Sequence, residues 1–223
     1  YGDRLWEERQ ESVIHLLKDS GLRWQYVRDT PTQPGPSPGG ARNACIDAAR
    51  GDWIISIDDL TFLTPEVIAR HWELYREGFD AVAGSFLSLE EGGEPFEDDS
   101  RVTGKGGVIA PVDGTIWQSW WGMHTGFSKK AWQRINGYDE LFDGVYGMED
   151  IDFGHRLKAS GCSMAWEPGL KVLCERGSNH NDTHKQLIPD SAPTSWVRGE
   201  VKWRNDKLIE ISRASRVTRG LRR

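Results

Sequence analysis

Residues 135–157 decide the fold and carry the candidate chemistry; they read I-N-G-Y-D-E-L-F-D-G-V-Y-G-M-E-D-I-D-F-G-H-R-L. A glycine-rich loop with two acids, Asp139 and Glu140, leads to Glu149 and Asp150, where a helical pattern begins. Acids in the first turn of a helix lie at the positive end of its dipole, which favours their ionised form. An ionised carboxylate beside such a loop is a candidate general base, although a capped surface helix has the same pattern.

The same residues resemble a motif of the family 2 glycosyltransferases. Residues 137–142 (G-Y-D-E-L-F) and 147–157 (G-M-E-D-I-D-F-G-H-R-L) are similar to the family pattern GGFDE-x-F followed by G-x-ED-x-DL-x-x-RL. These enzymes have the GT-A fold, and their C-terminal half resembles that of the galactosyltransferases. The resemblance implies an α/β fold in which helices flank a mixed, mostly parallel sheet. It also implies that Asp150 removes the proton from an acceptor hydroxyl and that Glu149 binds acceptor or sugar hydroxyls.

Two acids follow the first strongly apolar segment of the chain. Residues 53–57 (W-I-I-S-I) are typical of a strand buried on both faces, and Asp58 and Asp59 come directly after it. Ligands gather at the carboxyl ends of strands in open α/β sheets, so the pair predicts a ligand site rather than a solvated turn. The position resembles the D-x-D motif of the family, whose last Asp binds a divalent cation, but Leu60 stands there in this chain. The resemblance implies Mn²⁺ or Mg²⁺ with Asp59 as a replacement ligand, or else a weak or absent metal.

Arg42 and Asn43 precede this strand in the segment 39–52, which reads G-G-A-R-N-A-C-I-D-A-A-R-G-D. Its small residues predict a helix that packs closely on a sheet, and the two glycines at its start expose backbone N–H groups that suit a phosphate. A capped, alanine-rich helix explains the segment without any ligand. The segment also resembles the family pattern G-x-A-R-N followed by A-x-G-D, which implies that Arg42 and Asn43 face the nucleotide sugar.

Trp121 and His124 belong to an aromatic segment at residues 117–127, W-Q-S-W-W-G-M-H-T-G-F. Indole rings stack on the apolar faces of sugars, so Trp120 and Trp121 are candidates, and we expect one of them in the core. The matching segment of the family lines the sugar pocket, which implies that Trp121 and His124 bind the nucleotide sugar. A single His is, however, equally explained as a packing or surface residue.

His180 is the second candidate metal ligand. Residues 163–166 and 171–174 predict two short strands that flank a turn at Pro168 and Gly169. Many members of the family carry a metal-binding His at the end of the second strand, and the resemblance implies that His180 takes this role. A solvated polar loop explains the segment around His180 as well.

Composition predicts one soluble globular domain at 1–194 followed by a basic tail at 195–223. The chain has 223 residues, of which 37% are hydrophobic and 28% charged, and its net charge is −6. Residues 198–223 carry nine Lys and Arg against three Asp and Glu, so the rest is acidic, which argues against a nucleic-acid partner. The tail predicts an amphipathic helix packed on the domain or, alternatively, peripheral contact with an anionic membrane.

Three widely spaced cysteines give neither a disulfide framework nor a zinc-binding spacing, which predicts a reducing, cytoplasmic location. The resemblance spans residues 39–174, and the family's first βαβ unit, which holds the nucleotide, is expected before Tyr1. We therefore expect an inverting glycosyltransferase that moves a sugar from a nucleotide-diphosphate donor to the hydroxyl of a carbohydrate or another acceptor. The alternative is a glycosyltransferase-like binding or structural module that has lost catalysis.

Overall fold

The computed structural model describes residues 11, 14, 15, 17, 18, 20–28, 37–58, 61–90, 93–105, 116, 120–144 and 148–175. Residues 11, 14, 15, 17 and 18 are helical, and the further described helices are α1 (Pro38–Ala48), α2 (Pro65–Arg76), α3 (Ser100–Thr103), α4 (Lys129–Arg134) and α5 (Glu149–Ala159). A 3₁₀ turn lies at Glu140–Phe142. The strands are β1 (Trp53–Ile57), β2 (Thr61–Phe62), β3 (Ala81–Leu89), β4 (Phe96–Glu97), β5 (His124–Ser128) and β6 (Met164–Glu175).

The described strands form one mixed sheet in the order β1-β5-β3-β6-β2, and β4 pairs with β3. This confirms the predicted α/β class and the mixed sheet. The prediction of a mostly parallel sheet is wrong for the described strands, because only the pairing of β3 with β6 is parallel. Strands β1, β3 and β6 point the same way, but β5 runs between β1 and β3 in the opposite direction and makes both of its pairings antiparallel.

The last strand, β6, is continuous rather than split into two strands around a turn. It pairs with β3 on both sides of Pro168, and the register shifts between Gly84, which pairs with Glu167, and Ser85, which pairs with Lys171. The residues around Pro168 therefore bulge out of the ladder, and Ser85 Oγ donates to the Pro168 carbonyl oxygen at 2.7 Å. Proline has no N–H group for a ladder, so a bulge accommodates it without breaking the strand.

Apolar clusters cover both faces of the sheet. Neighbouring residues of β3 alternate between them, since Ala81 and Ala83 belong to one cluster and Val82 to the other. The first cluster includes α1, α4 and α5 through Ile46, Trp132, Phe153 and Leu157, and the second includes α2 through Val67 and Leu74. Burying each large apolar side chain contributes about 2 kcal/mol, so these layers fix the ends of β1 and α5 relative to each other.

Several predictions concern residues that the structure does not describe. The domain boundary at 194, the tail at 195–223, Asp59, Leu60 and His180 all lie outside the described residues. The three cysteines are described, and the structure shows no disulfide among them. None of the described helices has the length and apolar character that a membrane crossing needs.

Candidate functional site

Arg42 joins the two acidic segments that the sequence singled out. It lies on α1, and its Nη1 donates to Glu149 Oε1 at 2.8 Å while its Nη2 donates to Asp58 Oδ1 at 3.1 Å. Asp58 follows strand β1, and Glu149 opens helix α5. The fold therefore brings acids from two elements, distant in the chain, to one guanidinium group.

The three side chains of this bridge differ in exposure. The Asp58 side chain is 44% exposed, that of Arg42 18%, and that of Glu149 8%. Burial alone would lower the pKa of Arg42, but Tyr138, Glu149 and Asp58 raise it, so the guanidinium stays charged. The site thus has a solvent-facing end at Asp58 and a buried end at Glu149.

Asp150 lies beside this bridge and contacts the loop before β5. Its Oδ2 accepts a hydrogen bond from the Gly122 N–H at 2.9 Å, and its Oδ1 accepts one from the Ile151 N–H at 2.7 Å. A Cβ at residue 122 would lie 2.5 Å from Arg42 Nη2, so a glycine is needed where the guanidinium passes the loop. Gly122 therefore touches both Asp150 and Arg42, which places the carboxylate next to the cation.

The environment of Asp150 suits a general base. Burial, followed by the charge of Glu149, raises the pKa of Asp150 to about 6, against the opposing effects of the Gly122 and Ile151 N–H groups and of Arg42. The residue is nevertheless partly exposed. At neutral pH such a carboxylate is mostly ionised, yet it is more basic than an ordinary aspartate and accepts a proton more readily.

Helix α5 begins with a residue in an uncommon backbone conformation. Met148, at the N-cap position, has φ +74° and ψ −13°, in the left-handed region, and its side chain makes no capping bond. For a residue other than glycine this conformation is unfavourable by about 1–2 kcal/mol. Strained residues of this kind concentrate at functional sites, and this one aims the first turn, with Glu149 and Asp150, towards Arg42.

The carboxylate of Asp143 occupies the N-terminus of α1, where the backbone N–H groups of Gly39 and Gly40 suit a phosphate. Its Oδ1 accepts from the Gly39 N–H at 2.9 Å, and its Oδ2 accepts from the Gly40 N–H at 3.0 Å and from Ser37 Oγ at 2.8 Å. Burial raises the pKa of Asp143, while these three donors oppose the rise. The prediction of a phosphate at this helix start is therefore wrong for this structure, because the protein's own carboxylate fills it and ties the glycine-rich loop to α1.

Asn43 supports the same loop from inside. Its Oδ1 accepts from the Tyr138 N–H at 2.8 Å and from Trp132 Nε1 at 3.2 Å, and its Nδ2 donates to the Tyr138 carbonyl and to Glu140 Oε1 at 2.9 and 3.1 Å. The residue is buried, and these bonds use its whole amide group. The structure therefore leaves Asn43 no polar group for the predicted contact with a nucleotide sugar.

His124 is enclosed in the core beside His71. Their Nε2 atoms lie 2.8 Å apart in a shared hydrogen bond, and His124 Nδ1 lies 3.3 Å from the Ser85 carbonyl oxygen. Burial lowers the pKa of His71 to about 3 and that of His124 to about 4, so both rings are neutral. Gly84 and Gly126 make room for the pair, since a Cβ at either would collide with an imidazole ring. The packing alternative holds, and the predicted sugar contact of His124 does not fit its burial.

Trp120 and Trp121 have separate surroundings, as the sequence suggested. Trp120 is fully buried in the first cluster, whereas Trp121 is partly exposed. The guanidinium carbon of Arg101 lies over the Trp121 ring, 4.4 Å from its centroid. Stacking of a sugar on Trp121 stays a prediction, limited to the part of the ring that Arg101 leaves uncovered.

Neither predicted metal ligand, Asp59 or His180, lies among the described residues. In the part of the chain that the structure describes, no group of three or more His, Cys, Asp or Glu side chains is arranged to hold a metal ion. Asp58 is described, but its carboxylate is paired with Arg42. These donors alone do not fit a divalent cation, so Mn²⁺ or Mg²⁺, with Asp59 and His180 as ligands, stays a prediction.

Comparison with known proteins supports the same reaction class. Residues 116–174 match a family model described as the N-terminal domain of galactosyltransferase. This segment includes Gly122, Tyr138, Glu149 and Asp150. A search of curated proteins found no match. The chain therefore contains a glycosyltransferase-like domain, which implies sugar transfer between a donor and an acceptor, while family 2 membership and the GT-A fold stay predictions.

Proposed function

We propose that the chain is an inverting glycosyltransferase that moves a sugar from a nucleotide-diphosphate donor to an acceptor hydroxyl. The observation that carries the proposal is the meeting of Asp58, Arg42, Glu149 and Asp150 at one place. A carboxylate with a raised pKa beside a fixed cation provides a proton acceptor and a charge for a leaving group. The family match over residues 116–174 supports the reaction class.

Asp150 acts as the general base. It takes the proton of the acceptor hydroxyl as the hydroxyl oxygen attacks the anomeric carbon of the donor. The bond between that carbon and the phosphate oxygen breaks, and its electron pair leaves with the diphosphate. Because the attack comes from the face opposite to the leaving group, the anomeric configuration inverts.

Arg42 is the cation that the described residues provide for the leaving diphosphate. Its bonds to Glu149 and Asp58 use two of the five N–H groups of the guanidinium, which leaves donors for phosphate oxygens. A planar guanidinium matches phosphate geometry and stabilises the charge that develops there. Asp58, at the exposed end, is the candidate contact for the ribose, and Asp59 and His180 stay the proposed ligands of Mn²⁺ or Mg²⁺.

A binding or structural module that has lost catalysis is the second candidate. It is favoured by the pairing of Arg42 with both acids and by the poor fit of the described donors to a metal ion. Calorimetric titration of the full-length protein with nucleotide sugars, with and without Mn²⁺, together with an assay of sugar transfer, separates the two candidates. The enzyme binds a nucleotide sugar and transfers it, a binding module binds it without transfer, and a structural module gives no heat of binding with any nucleotide.

Asp150→Asn tests the catalytic assignment. The amide keeps the shape of the carboxylate but cannot take a proton, so we expect donor affinity within about twofold of wild type and transfer slower by about 100-fold or more. Asp52→Asn, at an exposed acid just before β1, is the matched control and should transfer normally. Near-normal transfer by Asp150→Asn would rule out Asp150 as the base.

A further inference from the structure

Tyr138 has a hydroxyl group for which the proposed reaction gives no role. The side chain is fully buried, and its oxygen has no hydrogen-bond partner among the residues that the structure describes. Burying an unpaired hydroxyl is unfavourable, because the group loses its bonds to water and gains none. The placement of this hydroxyl therefore requires a physical explanation.

The Tyr138 ring is held firmly by contacts that do not involve the hydroxyl. Asn43 bonds both the backbone N–H and the backbone carbonyl of Tyr138, at 2.8 and 2.9 Å. Phe153 stacks on the ring with 4.0 Å between centroids and 11° between planes. These contacts fix the direction of the hydroxyl without help from any bond to it.

The Tyr138 ring lies beside the acidic site. Phe153 follows Glu149 and Asp150 by one turn of α5, so the ring stacked on it runs beside the first turn of that helix. The Arg42 guanidinium carbon lies 5.5 Å from the centroid of the Tyr138 ring. Burial raises the pKa of Tyr138, Arg42 opposes the rise, and Asp150 and Glu149 add to it, so the phenol keeps its proton at neutral pH.

Glu149 contributes a second buried polar atom at this site. Its Oε1 is bonded to Arg42, whereas its Oε2 is buried and has no partner in the described part of the chain. A protonated phenol donates, and a carboxylate oxygen accepts. One hydroxyl group of a ligand satisfies both, because it can accept from Tyr138 and donate to Glu149.

We propose that Tyr138 binds the transferred sugar: its hydroxyl donates to a sugar hydroxyl whose own proton is donated to Glu149 Oε2. Both residues are more buried than Asp150, which is partly exposed and which the proposed reaction places against the acceptor. The more buried pair, Tyr138 and Glu149, is therefore assigned to the sugar of the donor. Arg42 lies over the ring, so a small shift of the guanidinium towards the diphosphate opens the hydroxyl to the ligand. This inference rests on the proposed sugar transfer.

Tyr138→Phe tests the inference, because it removes one oxygen atom and keeps the ring. Without ligand, its thermal midpoint should stay within about 4 °C of wild type or rise, since the described residues make no hydrogen bond to the hydroxyl. Calorimetry would use whichever of UDP-galactose, UDP-glucose or GDP-mannose binds wild type most tightly, and the variant should bind it about tenfold more weakly. The matching free nucleotide, UDP or GDP, should bind both proteins equally because it lacks the sugar.

Tyr75→Phe is the matched control. Tyr75 packs on Trp53, with 5.3 Å between ring centroids, at the opposite end of β1 from Asp58. This variant should leave both the sugar affinity and the affinity for the free nucleotide unchanged.

Three outcomes would count against the inference. Equal sugar affinity in wild type and Tyr138→Phe overturns it and leaves the proposed function intact. A fall of more than about 4 °C in the ligand-free midpoint also overturns it, because the hydroxyl would then have a structural role. If wild type binds none of the three nucleotide sugars, the proposed function fails and the inference fails with it.

Discussion

Arg101 and Arg42 are both guanidinium groups paired with acids, but their surroundings differ. Arg101 is fully enclosed and bonds the carboxylate of Asp99, two residues away in the chain. Its Nη2 also donates to the Gly84 carbonyl oxygen at 2.8 Å. Its guanidinium carbon lies over the rings of Trp121 and Trp166, 4.4 and 4.6 Å from their centroids.

Arg42 instead bridges two acids that the fold brings together from separate elements, and one end of the bridge meets solvent. Asp58 belongs to the end of β1, and Glu149 to the start of α5. An arginine that is enclosed by its own loop, a backbone carbonyl and indole rings therefore stabilises the fold. An arginine that keeps unused donors between distant acids is available for a ligand.

The largest expected effect is on stability at Arg101. Arg101→Ala leaves the Asp99 carboxylate buried and unpaired, which should lower the free energy of unfolding by about 3–5 kcal/mol in chemical denaturation. Arg70→Ala is the control: Arg70 pairs with Glu73, Glu77 and Glu167 on the surface, so its loss should change stability by about 1 kcal/mol or less. Equal, small effects of both changes would contradict the assigned role of Arg101.

At Arg42 the expected effect is on transfer. Arg42→Lys keeps the charge but cannot hold Asp58 and Glu149 with the same planar group. We expect transfer to fall by about 100-fold, the usual consequence of losing a preorganised donor at the developing charge. The free energy of unfolding should fall by less than in Arg101→Ala, because the lysine keeps a positive charge near Glu149 and Asp58 is 44% exposed. Normal transfer together with a large loss of stability would show that Arg42, like Arg101, stabilises the fold and does not act in transfer.

The smallest effect is expected at Asp143, which connects the loop before α5 to the helix that carries Arg42. Asp143→Asn keeps the shape and removes the charge that accepts from the Gly39 and Gly40 N–H groups. Loss of this cap should lower the free energy of unfolding by about 1 kcal/mol, measured by chemical denaturation. An increase in stability would show that burial of the Asp143 charge outweighs its bonds.

The sequence predicted those features that a local pattern or a resemblance marks. The start of α5 at Glu149 follows from acids and helical spacing, and the strand before Asp58 follows from its apolar run. The family resemblance indicates Arg42 as a contact of the nucleotide sugar, but no sequence pattern indicates that its guanidinium group binds both acids. Residue spacing carries no information about which distant side chain completes a pair.

The features that the sequence missed all join residues from different elements. Asp143 caps α1 from a loop about one hundred residues further along the chain, and a carboxylate in a loop gives no sign of this. The bond between His71 and His124 joins a helix to a strand, and Gly84 and Gly126 give it room. Strand β5 pairs antiparallel with both β1 and β3, and an apolar strand pattern carries no information about the direction of a strand in the sheet.

The most direct test of the site is the pH dependence of transfer by wild type and by Glu149→Gln. Asp150 must be ionised to accept a proton, so wild-type transfer should rise as the pH increases through about 6 and then level off. Removing the Glu149 charge lowers the pKa of Asp150, so the rise in Glu149→Gln should move to lower pH, even if the maximal rate falls. A rate that is flat between about pH 5 and 8 in both proteins would contradict a base at Asp150.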